Sequence, residues 1–250
     1  LLESKYWKNR KKMSVLEKFN YQVVGEDSSP KIVLLHGLMG SGANWRKIAS
    51  RLKEEFQVLT FDQRGHGRSF QPESGYAPED YADDLLSILD ELGWEEVYLL
   101  GHSMGGRNAL NFSYRFPHRV IKLIIEDIGA EPNQDLTGSI EHLLNLVPTP
   151  FENKKVARQF FLGEFAAKIP DNPNAQTLSQ YFYTNIVEQP DGTASWRFSK
   201  EAILESVEKG WAVTRWNEVE GLKIPTKIIR GERSQELLPE TFDRMLQSVK

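Results

Sequence analysis

The stretch Gly101-His102-Ser103-Met104-Gly105-Gly106 places a serine with glycines two residues before it and two after it. At the tip of a tight strand-to-helix turn such a hydroxyl projects alone, and the glycines leave room for the neighbouring backbones, so the spacing suits a nucleophile. A helix starting behind the turn favours developing negative charge. A glycine-rich turn in this place also binds phosphate or serves only as a tight bend. Acyl transfer to Ser103 would need two backbone N–H groups aimed at an oxyanion. Met104, the residue after the serine, offers one, and Leu38 in His36-Gly37-Leu38-Met39-Gly40 offers the second, with His36 expected to hydrogen-bond inside its own loop.

These residues need strands and helices to bring them together. Strands are expected in FNYQVVG near residue 19, at Lys31 to Leu35, Gln57 to Phe61, Val97 to Leu100, Val120 to Glu126 and Ile224 to Arg230. Between them, Trp45 to Leu52, Pro78 to Leu92, Arg107 to Tyr114 and, at the end, Leu238 to Val249 have helical spacing. Alternating strands and helices with long crossovers predict a mainly parallel sheet covered on both faces. Ligands in such a sheet bind beyond the carboxyl ends of the strands. Residues 131–209 break the alternation with helical stretches interrupted by VPTP, IPDNPN and QPDG, and they are rich in phenylalanine, tyrosine and tryptophan. They read as an inserted helical cap, with the core formed by residues 13–130 and 210–250.

Composition narrows the partners. A net charge of −4 across 250 residues gives no basic field for a phosphate backbone, so nucleic acid is not expected. The chain has no cysteine, which removes disulfides, thiolate metal sites and a cysteine nucleophile while leaving the redox compartment open. No apolar run approaches the roughly 20 residues of a membrane-spanning helix. Residues 1–12 are basic and lack the apolar core of a signal peptide, so they read as an extension ahead of Met13. A cytoplasmic protein, monomeric or a small homo-oligomer, is the default expectation.

The set HGLMGS (36–41), DQRGHGRS (62–69), GHSMGG (101–106) and IEDIGAEP (125–132) resembles the α/β-hydrolase superfamily, and within it the small bacterial esterases of the YbfF type and their mitochondrial relatives. The resemblance runs from about Phe19 to the end of the chain and is weakest across the cap. It implies an α/β-hydrolase fold: an eight-stranded sheet with a helical lid inserted after the sixth strand, Ser103 as nucleophile, Leu38 and Met104 as oxyanion-hole residues, and no metal or organic cofactor. In most members the triad acid follows the strand after the lid, here Gly231-Glu232-Arg233-Ser234. YbfF-type esterases place it earlier, at the position of Asp127, with the residue matching Ser234 beside the catalytic histidine. Asp127 is therefore the favoured acid and Glu232 the alternative, each also readable as a surface charge at a strand end.

The base is harder to place. His102 adjoins the nucleophile in sequence and is expected to point away from it and pack beside the turn. His36 and His66 lie in earlier loops, His118 in an exposed turn, and His142 in the cap. In the family the base lies roughly 25 to 30 residues past the acid loop, whereas Ser234 is sixteen residues from Lys250. The eighth strand and its histidine are thus expected beyond Lys250. The function implied is cleavage of a small carboxylic ester or thioester through a Ser-His-Asp triad, with the aromatic cap facing a largely apolar group. Serine at the elbow argues against dehalogenases and epoxide hydrolases, which use aspartate there. C–C bond hydrolases, lactonases, amidases, cofactor-free haloperoxidases and a non-catalytic ligand-binding protein remain alternatives.

Overall fold

The computed structural model describes residues 14–131, 134–211 and 213–249. The expected extension at 1–12, together with Met13, lies outside them. Eight strands and ten α-helices follow one another among the described residues. β1 (Tyr21–Val24), β2 (Lys31–Leu35), α1 (Arg46–Leu52), β3 (Gln57–Phe61), α2 (Pro78–Leu92), β4 (Val97–His102), α3 (Met104–Arg115) and β5 (Val120–Glu126) come first. Next are α4 (Gln134–Asn145), α5 (Lys154–Gln159), α6 (Phe165–Ala167), α7 (Ala175–Thr184), β6 (Ile186–Glu188), β7 (Ala194–Trp196) and α8 (Lys200–Trp211). α9 (Trp216–Glu220), β8 (Thr226–Ile229) and α10 (Pro239–Ser248) complete the set.

The main sheet has the order β1-β3-β2-β4-β5-β8, and only the β1–β3 pair is antiparallel. Val33, Leu34 and Leu35 of β2 are buried, as a central strand covered on both faces requires. On one face, α2 and α3 contribute Tyr81, Leu85, Ile88, Leu89, Ala109 and Phe112 to the large core, and the residues from α2 recur at helical spacing. On the other, Trp45 and Ala49 pack against Ile32, Leu34 and Val58. α2 starts with Pro78 in its first turn and stops at Gly93, whose left-handed φ of 69° closes the helix.

The chain leaves β2 towards β3 on one side and β4 towards β5 on the other. The strand order therefore reverses between β2 and β4, and at such a switch point the loops beyond the carboxyl ends part to form a crevice. The loop holding Leu38 follows β2, and Ser103 follows β4, so the topology alone brings them to one place.

Two elements differ from the sequence reading. The helix after Ser103 begins at Met104 rather than Arg107, so the glycines after the serine are its first turn. The segment between β5 and β8 is not helical throughout. β6 and β7 form an antiparallel hairpin, with Asp191 accepting from the Thr193 N–H at 3.0 Å and Gly192 at a φ of 86° in its turn. QPDG is thus a hairpin turn and not a break between helices, because Asp-Gly supplies the left-handed residue that a tight hairpin needs. The hairpin, α4, α5, α7 and the π-helical turn Phe160–Glu164 enclose their own aromatic cluster, in which Trp196 and Phe198 stack with centroids 4.9 Å apart.

Candidate active site

Ser103 sits between the last residue of β4 and the first of α3 with φ 51° and ψ −120°, a conformation that costs a non-glycine residue about 1–3 kcal/mol. Its neighbours hold it there. The Ser103 N–H donates to the Glu126 carbonyl of β5 at 2.8 Å, and the Ser103 carbonyl accepts from Gly106 and Arg107 at 2.8 and 3.1 Å. A Cβ on Gly105 would lie 2.5 Å from the Leu35 carbonyl and 2.6 Å from that of His36, and one on Gly101 would overlap the Gly105 carbonyl. The two glycines therefore let the start of α3 press against the ends of β4 and β2, which places the elbow against the loop after β2.

The Met104 N–H belongs to the first turn of α3, where helix amides have no partner within the helix and face whatever lies beyond the terminus. Across the crevice, Leu38 follows Gly37, and a Cβ on Gly37 would meet the Ser103 Cβ at 3.3 Å. A cavity of about 400 Å³ opens here, lined among others by Leu38, Asn44, Trp45, Ser103, Glu126 and Tyr181. Ser103 and Leu38 both line it. Tyr181, carried on α7, is a lining residue that no local sequence motif singled out, and Glu126 lies within IEDIGAEP without having been named for a role.

His102 is half-buried and lines the same cavity, packed on Gly37 so closely that a Cβ there would lie 2.8 Å from its Nδ1. Its ring packs beside the turn, against the loop after β2. His36 is buried: its Nε2 accepts from the Gln63 N–H at 2.9 Å, so its Nδ1 carries the proton and donates to the Gly37 carbonyl at 2.8 Å. Burial pushes its pKa down to about 4, countered in part by the Gly37 carbonyl. His66, also buried and 5.1 Å from His36 between centroids, is pushed down to about 3, mainly by burial. Both rings stay neutral near pH 7 and order loops. His118 and His142 are exposed.

Asp127 follows β5 in a left-handed conformation, φ 56°, and its Oδ1 accepts from the Gly231 N–H at 3.0 Å. The strands β5 and β8 thus deliver the two candidate acid loops side by side. Glu232 in the second loop is exposed, and only its backbone carbonyl is engaged, by Arg230 at 3.2 Å. The Ser234 hydroxyl accepts from the N–H groups of Glu236 and Leu237 at 3.2 and 3.1 Å, which shapes the turn. Glu236, unnoticed in the sequence, buries one carboxylate oxygen without a partner. Burial raises its pKa, the Arg107 charge opposes that, and the Asp127 charge adds to it. A second carboxylate therefore lies within electrostatic reach of Asp127.

Among the described residues no group of three or more His, Cys, Asp or Glu side chains is arranged to hold a metal ion. No helix among them is long and apolar enough to cross a membrane.

Comparison with known proteins matches residues 30–235 to the alpha/beta hydrolase fold family. The chain is similar to the 2-(acetamidomethylene)succinate hydrolase of Mesorhizobium japonicum, at 26% identity over 83% of this chain and 72% of that one. It is also similar to the sn-1-specific diacylglycerol lipase ABHD11 of Xenopus laevis, at 33% identity over 74% of this chain and 59% of that protein's length. Among solved structures, a marine microorganism esterase superposes with a TM-score of 0.75 and 26% identity, covering 91% of this chain and 86% of the other.

Proposed function

Because the chain belongs to the alpha/beta hydrolase fold family, we propose that it is a serine hydrolase that opens a small carboxylic ester or thioester through an acyl-enzyme. The observation that carries this reading is the backbone of Ser103, held at φ 51° between β4 and α3 at the switch point, with the Leu38 loop across the cavity from it. In this reading the Ser103 Oγ attacks the acyl carbon, and the N–H groups of Leu38 and Met104 receive the oxyanion. The leaving alcohol or thiol departs with the proton taken from the serine, and water then releases the acid by the same steps in reverse. Esterase and lipase relatives support this substrate class, and a cap rich in aromatic side chains suits an apolar acyl or alcohol group.

The acid in this reading is Asp127, half-buried and held by the Gly231 N–H, in preference to exposed Glu232. The base in this reading is a histidine that takes the Ser103 proton. Of the five histidines in the sequence, two are buried and neutral, two are exposed, and His102 packs on the oxyanion loop.

A fluorophosphonate probe tests the reading directly: intact-mass and peptide mapping of the complete protein should show a single adduct on Ser103. Tight binding of an ester without labelling would favour a ligand-binding protein. The acid is assigned by two variants. Asp127→Asn is expected to lower kcat about 10³- to 10⁴-fold, as loss of the group that fixes the histidine tautomer does, and Glu232→Gln to change it less than twofold. The reverse pattern moves the acid to Glu232.

A further inference from the structure

The loop after β2 is stressed where it carries the proposed oxyanion donor. The Gly40 N–H donates to the Gly37 carbonyl at 3.0 Å, closing a four-residue turn with Leu38 and Met39 at its corners. Met39 has a φ of 58°, whereas Leu38 is not among the residues with positive φ, which makes this a type II turn. Its third position favours glycine, and an L-residue there is strained. Turning over the central peptide, whose oxygen is the Leu38 carbonyl, would relax it to the type I form that most sequences prefer.

Contacts from two sides prevent this. From the core, Asn108 of α3 donates to Gln63 at 2.8 Å, Gln63 donates to the His36 carbonyl at 2.8 Å, and His36 donates to the Gly37 carbonyl. These bonds hold the Gly37 carbonyl, and with it the peptide that carries the Leu38 N–H. On the next peptide, the Leu38 carbonyl and the Met39 side chain are held by the segment between β5 and β8, while the Leu38 side chain packs against the large core as well. The Met39 side chain is 3% exposed within the aromatic cluster of that segment, and Leu38 packs against the same cluster. The Tyr181 hydroxyl donates to the Leu38 carbonyl at 2.9 Å, across 143 residues of sequence.

We infer that the cap segment sets the geometry of the oxyanion loop: Tyr181 is a positioning residue that holds the Leu38–Met39 peptide in its strained orientation, with Met39 as the apolar anchor. The inference rests on the serine-hydrolase reading for its catalytic consequence. Tyr181 acts through Leu38 and donates nothing to the reacting atoms. When the cap segment moves away from the core, the bond to Leu38 and the burial of Met39 are lost together, so the turn that directly follows the Leu38 N–H keeps its strained form only while that segment is docked. An acyl group that fits under the cap would thereby be processed faster than one that props it open, even at equal affinity.

The test uses Tyr181→Phe in the complete protein, which keeps the ring and removes one donor. Hydrogen exchange of peptides covering residues 36–41 is followed by mass spectrometry beside ester kinetics and the rate of phosphonate labelling. The expected result is exchange at least fivefold faster in this segment, kcat and labelling rate both lower by about 5- to 10-fold, as loss of one hydrogen bond gives, and KM changed less than twofold. Unchanged exchange overturns the inference whatever the kinetics do. Faster exchange with unchanged kcat overturns the catalytic consequence, and a rise in KM alone reassigns Tyr181 as a substrate contact. If wild-type protein neither turns over esters nor takes the probe, the hydrolase reading fails and the catalytic consequence with it. The exchange result still separates that failure from a failure of the clamp.

Discussion

Ser103→Ala is expected to lower kcat/KM for a small activated ester such as p-nitrophenyl butyrate by about 10⁴-fold or more. Losing the nucleophile of a triad removes the contribution of the whole unit, leaving only the rate supplied by binding and the oxyanion hole. The fold should not notice. Alanine keeps a Cβ, so the strain at φ 51° is unchanged, and Ser103 is fixed through its N–H and carbonyl, which the substitution leaves in place. Thermal midpoints of the two proteins should therefore agree within about 2 °C, since a surface-like change stays within ~0.5 kcal/mol. Glycine at 103 provides a second control: it relieves the left-handed strain and should raise the midpoint while being equally inactive. A Ser103→Ala protein that keeps more than about 1% of wild-type turnover would remove Ser103 from the mechanism.

That assignment was open to sequence reasoning because its signals are local. A buried strand, glycines at two-residue spacing and a helix start all lie within Val97 to Arg115, and the backbone that results is dictated by which residues can approach one another there. The same holds for α2, whose proline start and glycine stop bracket a clean apolar stripe. The hairpin of β6 and β7 was legible in principle, since Asp191-Gly192 lies between Ile186-Val187 and Ala194-Trp196, but each strand has only three residues, too few for alternation to stand out against neighbouring helices. Tyr181 and Glu236 had no local signal at all. One reaches Leu38 from the far side of the cap segment, and the other owes its burial to the folding of the acid loop around Ser234. The resting place of the half-buried His102 ring had no local signal either, because adjacency along the chain fixes the backbone and not the ring. Its position follows from Gly37 having no side chain.

The loops that build the site also predict how the protein responds to acid. His36 and His66 have folded pKa values of about 4 and about 3, against 6.5 for an exposed imidazole, with burial the main cause in both. Between those limits the unfolded chain binds protons that the folded chain refuses, so stability falls as pH falls, beginning just below 6.5. By pH 5 each ring should have cost about 2 kcal/mol, with the loss continuing towards pH 4. Protonation is unwelcome for a specific reason at each site. The Nε2 of His36 already faces the Gln63 N–H, so a second donor there would break the link from Gln63 to the loop after β2. The Nε2 of His66 is buried with no partner. Carboxylates with lowered pKa values, such as Glu79, whose burial penalty is outweighed by the bond to Arg215, protonate below their ordinary value, whereas Asp84 and Glu236, raised mainly by burial, take up protons more readily in the folded chain and oppose the histidines. Urea titrations at pH 7.5 and 5 should show the midpoint falling steeply, and His66→Asn should flatten the difference by about half even if the variant is less stable at pH 7.5. Equal midpoints for the wild-type protein at pH 7.5 and 5 would mean that both rings find water or a carboxylate when charged. In the expected case, acid loosens residues 36 to 66 first, and ester turnover is lost through the oxyanion loop at a pH where the far helices are still folded.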